Sequence, residues 1–149
     1  MIRLDRQELL HAPIDDVFAF VGEFANVERW DPGVVRSVKV SDGPTGVGTR
    51  YVVTVRFMGQ TSDMTYEVVG WSPPYTVELR GETPTLSALD RITFLPDPAH
   101  PRRTVVRYEA EFTFKGPLRL AEGPMRRVFE RVGDVAMAGL RSATIPHAS

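Results

Sequence analysis

HAPIDDVFAFVGEFANVERWDPGV, residues 11–34, is the most informative stretch of this chain. Pro13 stands at a first helical position, where its missing N–H is not needed, and Asp15 and Asp16 put two carboxylates in the first turn, where the helix dipole favours them. Val17, Phe18 and Val21 follow at helical spacing, Gly22 closes the helix, and Glu23 to Arg29 read as a second short helix. Ahead of this stretch, Ile2 to Leu10 read as a strand. Behind it, from Val34, the apolar period changes to two and Gly/Pro clusters recur at intervals of about ten residues, the pattern of antiparallel strands joined by hairpins. The breaks SDGPTGVG, MGQ, SPP, GETPT and PDPAHPR predict strands near 34–41, 49–57, 60–71, 75–81, 86–95 and 103–114. In the last of these, Val106, Tyr108, Ala110, Phe112 and Phe114 alternate with mostly polar residues, so one face is buried and the other wet.

After Lys115-Gly116-Pro117 the period returns to 3.6. Ala121, Met125, Val128, Phe129, Val132, Ala136 and Leu140 form one stripe, and Arg126, Arg127, Glu130, Arg131, Asp134 and Arg141 the opposite face of a long amphipathic helix. Pro124 is expected to interrupt or kink this helix near its beginning. The final residues, ATIPHAS, read as a loose end. A bent antiparallel sheet with an apolar concave side must be covered, and the C-terminal helix is the element long enough to do it.

Composition narrows the chemistry. The 149 residues lack cysteine, which excludes disulfides, thiolate metal sites and thiol nucleophiles. Eighteen basic residues, sixteen of them Arg, against nineteen acidic ones give a net charge of −1, which argues against a nucleic-acid binder. No apolar run reaches the roughly 18 residues of a membrane span, and the charged start MIRLDRQELL is unlike a signal peptide, so a cytoplasmic protein without a membrane span is expected.

The stretch over residues 11–34 resembles the opening of the START-like, or SRPBCC, superfamily, in particular its polyketide cyclase/dehydrase-like branch. The residues that carry the likeness are Ala12, Pro13, Val17, Phe18, Trp30 and Pro32; YEVVGWSPPYTVELRG and FLPDPAHPRRTVVRYEAEFTFKG extend it over about residues 2 to 143. The resemblance implies an α+β helix-grip fold: a curved seven-stranded antiparallel sheet wrapped around a long C-terminal helix, two short helices after the first strand, and a deep hydrophobic cavity. It implies one domain over 1–143 with a flexible tail over 144–149, and makes a homodimer plausible. Its members include lipid and sterol carriers, hormone receptors and aromatase/cyclases, so the fold points to a ligand class sooner than to a reaction.

Alternation places Tyr51, Phe57, Tyr66, Leu79, Asp90, Phe94, Tyr108 and Phe112 on the concave face, and the helical period adds Met125, Phe129 and Val132. With Trp30 near the cavity mouth, the apolar and aromatic residues of this set are the candidate ligand contacts. The tyrosines stand out because a buried phenol needs a partner and can offer one to a ligand. Asp90 is the candidate catalytic residue, since a carboxylate in an apolar interior must be paired or protonated and is then suited to proton transfer. Arg56, Arg91 or a tyrosine could pair with it; alternatively a bulge after GETPTLS turns it to solvent. His11, His100 and His147 lack metal-ligand spacing, no nucleophile elbow is present, and GPTGVG lacks the Lys of a phosphate loop, so neither metal nor cofactor is expected. Arg126, Arg127 and Arg131 read as a solvated helix face. Three functions remain open: binding of a hydrophobic small molecule such as a lipid, polyketide or aromatic metabolite; a polyketide cyclase, aromatase or dehydratase using Asp90 and a tyrosine; and an interaction module whose cavity is vestigial.

Overall fold

A computed structural model describes residues 1–147. Its strands are β1 (Ile2–Leu10), β2 (Val34–Lys39), β3 (Arg50–Phe57), β4 (Gln60–Ser72), β5 (Thr76–Glu82), β6 (Leu86–Asp97) and β7 (His100–Phe114). Among the described residues these seven form one antiparallel sheet in the order β1-β7-β6-β5-β4-β3-β2, so the first strand closes beside the last. The chain between β1 and β2 forms α1 (Ile14–Val21), a 3₁₀ turn (Phe24–Asn26) and α2 (Val27–Trp30). The second predicted helix is thus split, because Glu23 accepts a hydrogen bond from the Ala25 N–H and caps a tight turn first. The long helix, α3 (Glu122–Ser142), covers the concave face.

The sheet curls through register shifts at Val68/Gly70 in β4 and Val34/Arg36 in β2, where an extra residue bends the strand. PDPAHPR, read as a break, instead extends both β6 and β7 to a tight turn at Asp97–His100. Pro96 lies past the last β5 pairing at Thr76↔Thr93, and Pro101 past the last β1 pairing at Leu10↔Thr104. Each proline therefore stands where the neighbouring ladder has ended and no donor is missed on that side.

Pro124 does not kink the helix. It is the third residue of α3, inside the first turn, where N–H groups have no intrahelical partner to lose. The chain before it, Gly116–Ala121, is a separate 3₁₀ segment. Within the predicted tail, Ile145 packs against the core, and His147 Nδ1 lies 2.8 Å from Asp16 Oδ2. The remainder of the predicted tail, residues 148 and 149, lies outside the described residues.

The position of α3 is set by two close approaches. At Gly133 an added methyl would stand 3.0 Å from Leu4 Cδ1 of β1. At Gly139 it would collide with the Trp30 carbonyl oxygen and come within 2.7 Å of Pro32 Cδ. The helix therefore rests on β1 at one point and on the α2–β2 corner at another. Gly139→Ala should lower stability by about 1–3 kcal/mol in urea unfolding, because the steric clash outweighs the gain in helix propensity.

Candidate functional site

Between the sheet and α3 lies a cavity of about 390 Å³. Its exposed lining residues Arg56, Ser62 and Thr85, near the β3–β4 and β5–β6 turns, mark the solvent side, and Val132 of α3 is exposed on the helix side. The buried side chains of Trp30, Tyr66 and Asp90 mark the inner end. Phe129 of α3 meets Phe57, Phe112 and Phe114 edge to face, with ring centroids 5.3, 4.8 and 5.7 Å away, and these rings make an aromatic wall toward the solvent side.

Of the residues singled out in the sequence, Trp30, Phe57, Tyr66, Asp90, Tyr108, Phe112, Phe129 and Val132 line this chamber. Tyr51, Leu79, Phe94 and Met125 do not. The Tyr51 hydroxyl donates to Glu23 Oε2 at 2.5 Å, and its ring packs edge-on against Phe24. Phe94 is covered by the Phe18 ring of α1 at 5.2 Å, and Leu79 is fully enclosed in the same core. Met125 packs one turn before Phe129 on the cluster around Ile2, Leu4 and Ala110. Alternation identified the concave face, but the short helices fill one part of it and α3 stands off from another. Sequence reasoning missed Asp31, Phe24 and Met137, which also line the chamber. Asp31 is masked by its turn role: its Oδ1 accepts from the Gly33 N–H at 2.9 Å, as Asp does in many turns.

Asp90 points inward, contrary to the alternative of a bulge. Pairing runs without a shift from Ser87 to Thr93 on both neighbours, so the inward phase of Ile92 and Phe94 carries through to position 90. Neither arginine pairs with it. Arg91 faces outward and binds Glu78 at 2.9 Å, and Arg56 lies on the exposed side. The partner is Tyr108 on β7, whose hydroxyl donates to Asp90 Oδ2 at 2.5 Å. Burial pushes the Asp90 carboxyl up to about 7; the Tyr108 hydrogen bond lowers it, and the nearby Asp31 raises it further. Burial likewise pushes the phenols of Tyr66 and Tyr108 well above their usual range, with Asp90 adding to both, so they stay protonated donors.

The inner end is incompletely satisfied. Among the described residues, two buried side-chain polar atoms lack any hydrogen-bond partner, Trp30 Nε1 and Asp90 Oδ1, and both residues line the chamber. The Tyr66 hydroxyl has only the Met64 sulfur at 4.0 Å. Each unmade bond costs roughly 1–3 kcal/mol. Among the described residues no group of three His, Asp or Glu side chains stands close enough to hold a metal ion, and no helix is long and apolar enough to cross a membrane.

The raised Asp90 carboxyl has a consequence for stability. Between its ordinary 3.8 and about 7 the folded chain holds a proton that the unfolded chain has released, so this group's contribution falls as pH rises through that window and levels off above it. Asp90→Asn should remove that loss. Urea unfolding at pH 5 and pH 8 should show the variant gaining on the native sequence at the higher pH.

Comparison with known proteins gives the same architecture. A family model described as polyketide cyclase/dehydrase and lipid transport matches residues 1–144. No functionally curated protein matches by sequence. Among solved structures, a START superfamily protein from Mycobacterium smegmatis superposes with a TM-score of 0.78 at 14% identity, covering 93% of this chain and 94% of that one. The Zhui aromatase/cyclase from Streptomyces sp. R1128 gives 0.76 at 14% identity, covering 93% and 90%. The di-domain ARO/CYC BexL of the BE-7585A biosynthetic pathway gives 0.75 at 20% identity over 96% of this chain; the present chain spans 46% of that protein. At these identities the likeness shows the fold.

Proposed function

The chain belongs to the polyketide cyclase/dehydrase and lipid-transport family, and from that premise we propose that it binds a hydrophobic small molecule in the chamber between the sheet and α3. The observation that carries this reading is the chamber itself, about 390 Å³ of open volume walled largely by aromatic and aliphatic side chains. Interiors are otherwise close-packed, so an opening of this size departs from ordinary core packing. Its volume is toward the lower end of the roughly 300–1,000 Å³ typical of small-molecule sites, which suits a compact ring system better than a long acyl chain. An interaction module with a vestigial cavity is disfavoured on the same ground.

Native mass spectrometry of freshly purified protein should show a bound small molecule. The neutral probe N-phenyl-1-naphthylamine should brighten on binding and should lose that response in Ala110→Trp, which fills the chamber from β7. A correctly folded Ala110→Trp that binds the probe as well as the native chain would overturn the reading.

Asp90 and Tyr108 favour a second reading, a cyclase or dehydratase. A buried carboxyl near neutral pKa, hydrogen-bonded to a phenol and lining a ligand chamber, is poised to exchange a proton with an enolisable ketone. In that case Asp90→Asn should lower turnover of a poly-ketone substrate by roughly 100-fold or more. Turnover unchanged by Asp90→Asn would remove Asp90 from the chemistry, and no turnover by the native chain would leave binding as the function.

A further inference from the structure

The chamber reading says that a hydrophobic molecule enters; the unpaired atoms at the inner end say which polar group it carries. The Trp30 indole N–H is a donor that nothing accepts from, and Asp90 Oδ1 is an acceptor that nothing donates to. Both side chains are only 4% exposed and line the same cavity. They are neighbours through Tyr108, whose ring meets the Trp30 ring at 6.2 Å between centroids and whose hydroxyl holds the other Asp90 oxygen. We propose that the inner end of the chamber recognises a neutral hydroxyl group on a compact apolar ligand, the hydroxyl oxygen accepting from Trp30 Nε1 and its hydrogen going to Asp90 Oδ1.

One hydroxyl group satisfies both atoms, because it is donor and acceptor at once. An ether or ketone answers the indole alone, and a hydrocarbon answers neither. A carboxylate is repelled: Asp31 and Asp90 both line the chamber, Asp31 close enough to raise the Asp90 carboxyl, and neither lining arginine is bound to them, although Arg6 stands opposite Tyr108 on β1. Arg6 is bound to Asp134 at 2.9 Å, and Arg56 lies on the exposed side. The Tyr66 hydroxyl, with only a thioether for a partner, adds a further polar contact at the same end. The hydroxyl therefore enters first, and the apolar body of the ligand lies along the Phe57–Phe112–Phe129 wall behind it.

This inference rests on the chamber reading, and four ligands on one ring system separate the two. Binding of naphthalene, 2-methoxynaphthalene, 2-naphthol and 2-naphthoate is measured by calorimetry at about pH 8, where 2-naphthol is still neutral. 2-Naphthol should bind roughly ten-fold or more tightly than naphthalene and 2-methoxynaphthalene, as one charge-assisted and one ordinary hydrogen bond require, and 2-naphthoate should bind most weakly. Trp30→Phe should reduce the naphthol-to-naphthalene affinity ratio several-fold. Asp90→Asn, whose amide presents N–H in place of the acceptor, should shrink the naphthol-to-methoxynaphthalene ratio. Equal affinity for naphthalene and 2-naphthol overturns the proposal and leaves the chamber reading standing. Tighter binding of 2-naphthoate overturns it in favour of a head group at the Arg56 side. Failure of all four to bind overturns the chamber reading and the proposal together. A variant that fails to fold binds none of them, and the ranking on the native chain then decides.

Discussion

The seating of α3 on two glycine contacts sets the dimensions of everything beneath it. At Gly133 the helix lies against the Leu4 side chain, which an added methyl would press aside, and at Gly139 it lies against the Trp30 carbonyl and Pro32, with no room for a side chain. Close approach at β1 and at the α2–β2 corner leaves α3 standing off from the middle of the curled sheet. Phe57 and Phe129 reach across the gap as an edge-to-face pair. The chamber is thus the space left by a rigid helix supported at its side and toward its end, over a sheet that bulges have bent away from it.

That geometry explains why polar groups can remain unsatisfied inside. A close-packed core would force Asp90 Oδ1 and Trp30 Nε1 against apolar atoms, at a cost that few proteins of this size tolerate twice. In a chamber the same atoms border space that a ligand can fill, and their lost hydrogen bonds become binding energy for a molecule with the right head group. Tyr108 makes the arrangement tenable by holding one Asp90 oxygen, and Gly81 makes room for its neighbour. A methyl at Gly81 would press on the Tyr66 ring at 2.7 Å, so the bare backbone of β5 is what lets that ring lie flat at the inner end. The proposed hydroxyl recognition, the raised carboxyl pKa and the local instability therefore share one cause, burial of a carboxyl without a cation bound to it.

Much of the fold was legible in residue order. Pro13, Asp15 and Asp16 announce α1, the Gly/Pro breaks locate the hairpins, and the stripe from Met125 to Leu140 identifies α3. The misreadings were local. Pro124 looked like a helix breaker because sequence cannot say that the first turn begins only two residues earlier. PDPAHPR looked like a loop because the tolerance of Pro96 and Pro101 depends on where β5 and β1 stop, which is a property of neighbours distant in sequence.

The candidate site was legible as a face rather than as a place. Two-residue and 3.6-residue periods by themselves determined which side chains point inward, Tyr108 among them, and the absence of cysteine removed thiol chemistry. The periods left Asp90 open between the concave face and a bulge that turns it to solvent, which the unshifted register of β6 settled. Only the tertiary structure decided that Tyr51, Leu79 and Phe94 meet packed neighbours while Trp30, Tyr66 and Phe129 meet open space, and that Asp90 takes Tyr108 instead of an arginine. The physical reason is that a periodic pattern records orientation, one bit per residue. A cavity depends on the distance between surfaces, which is set by strand bulges and helix standoff at positions far apart in the chain.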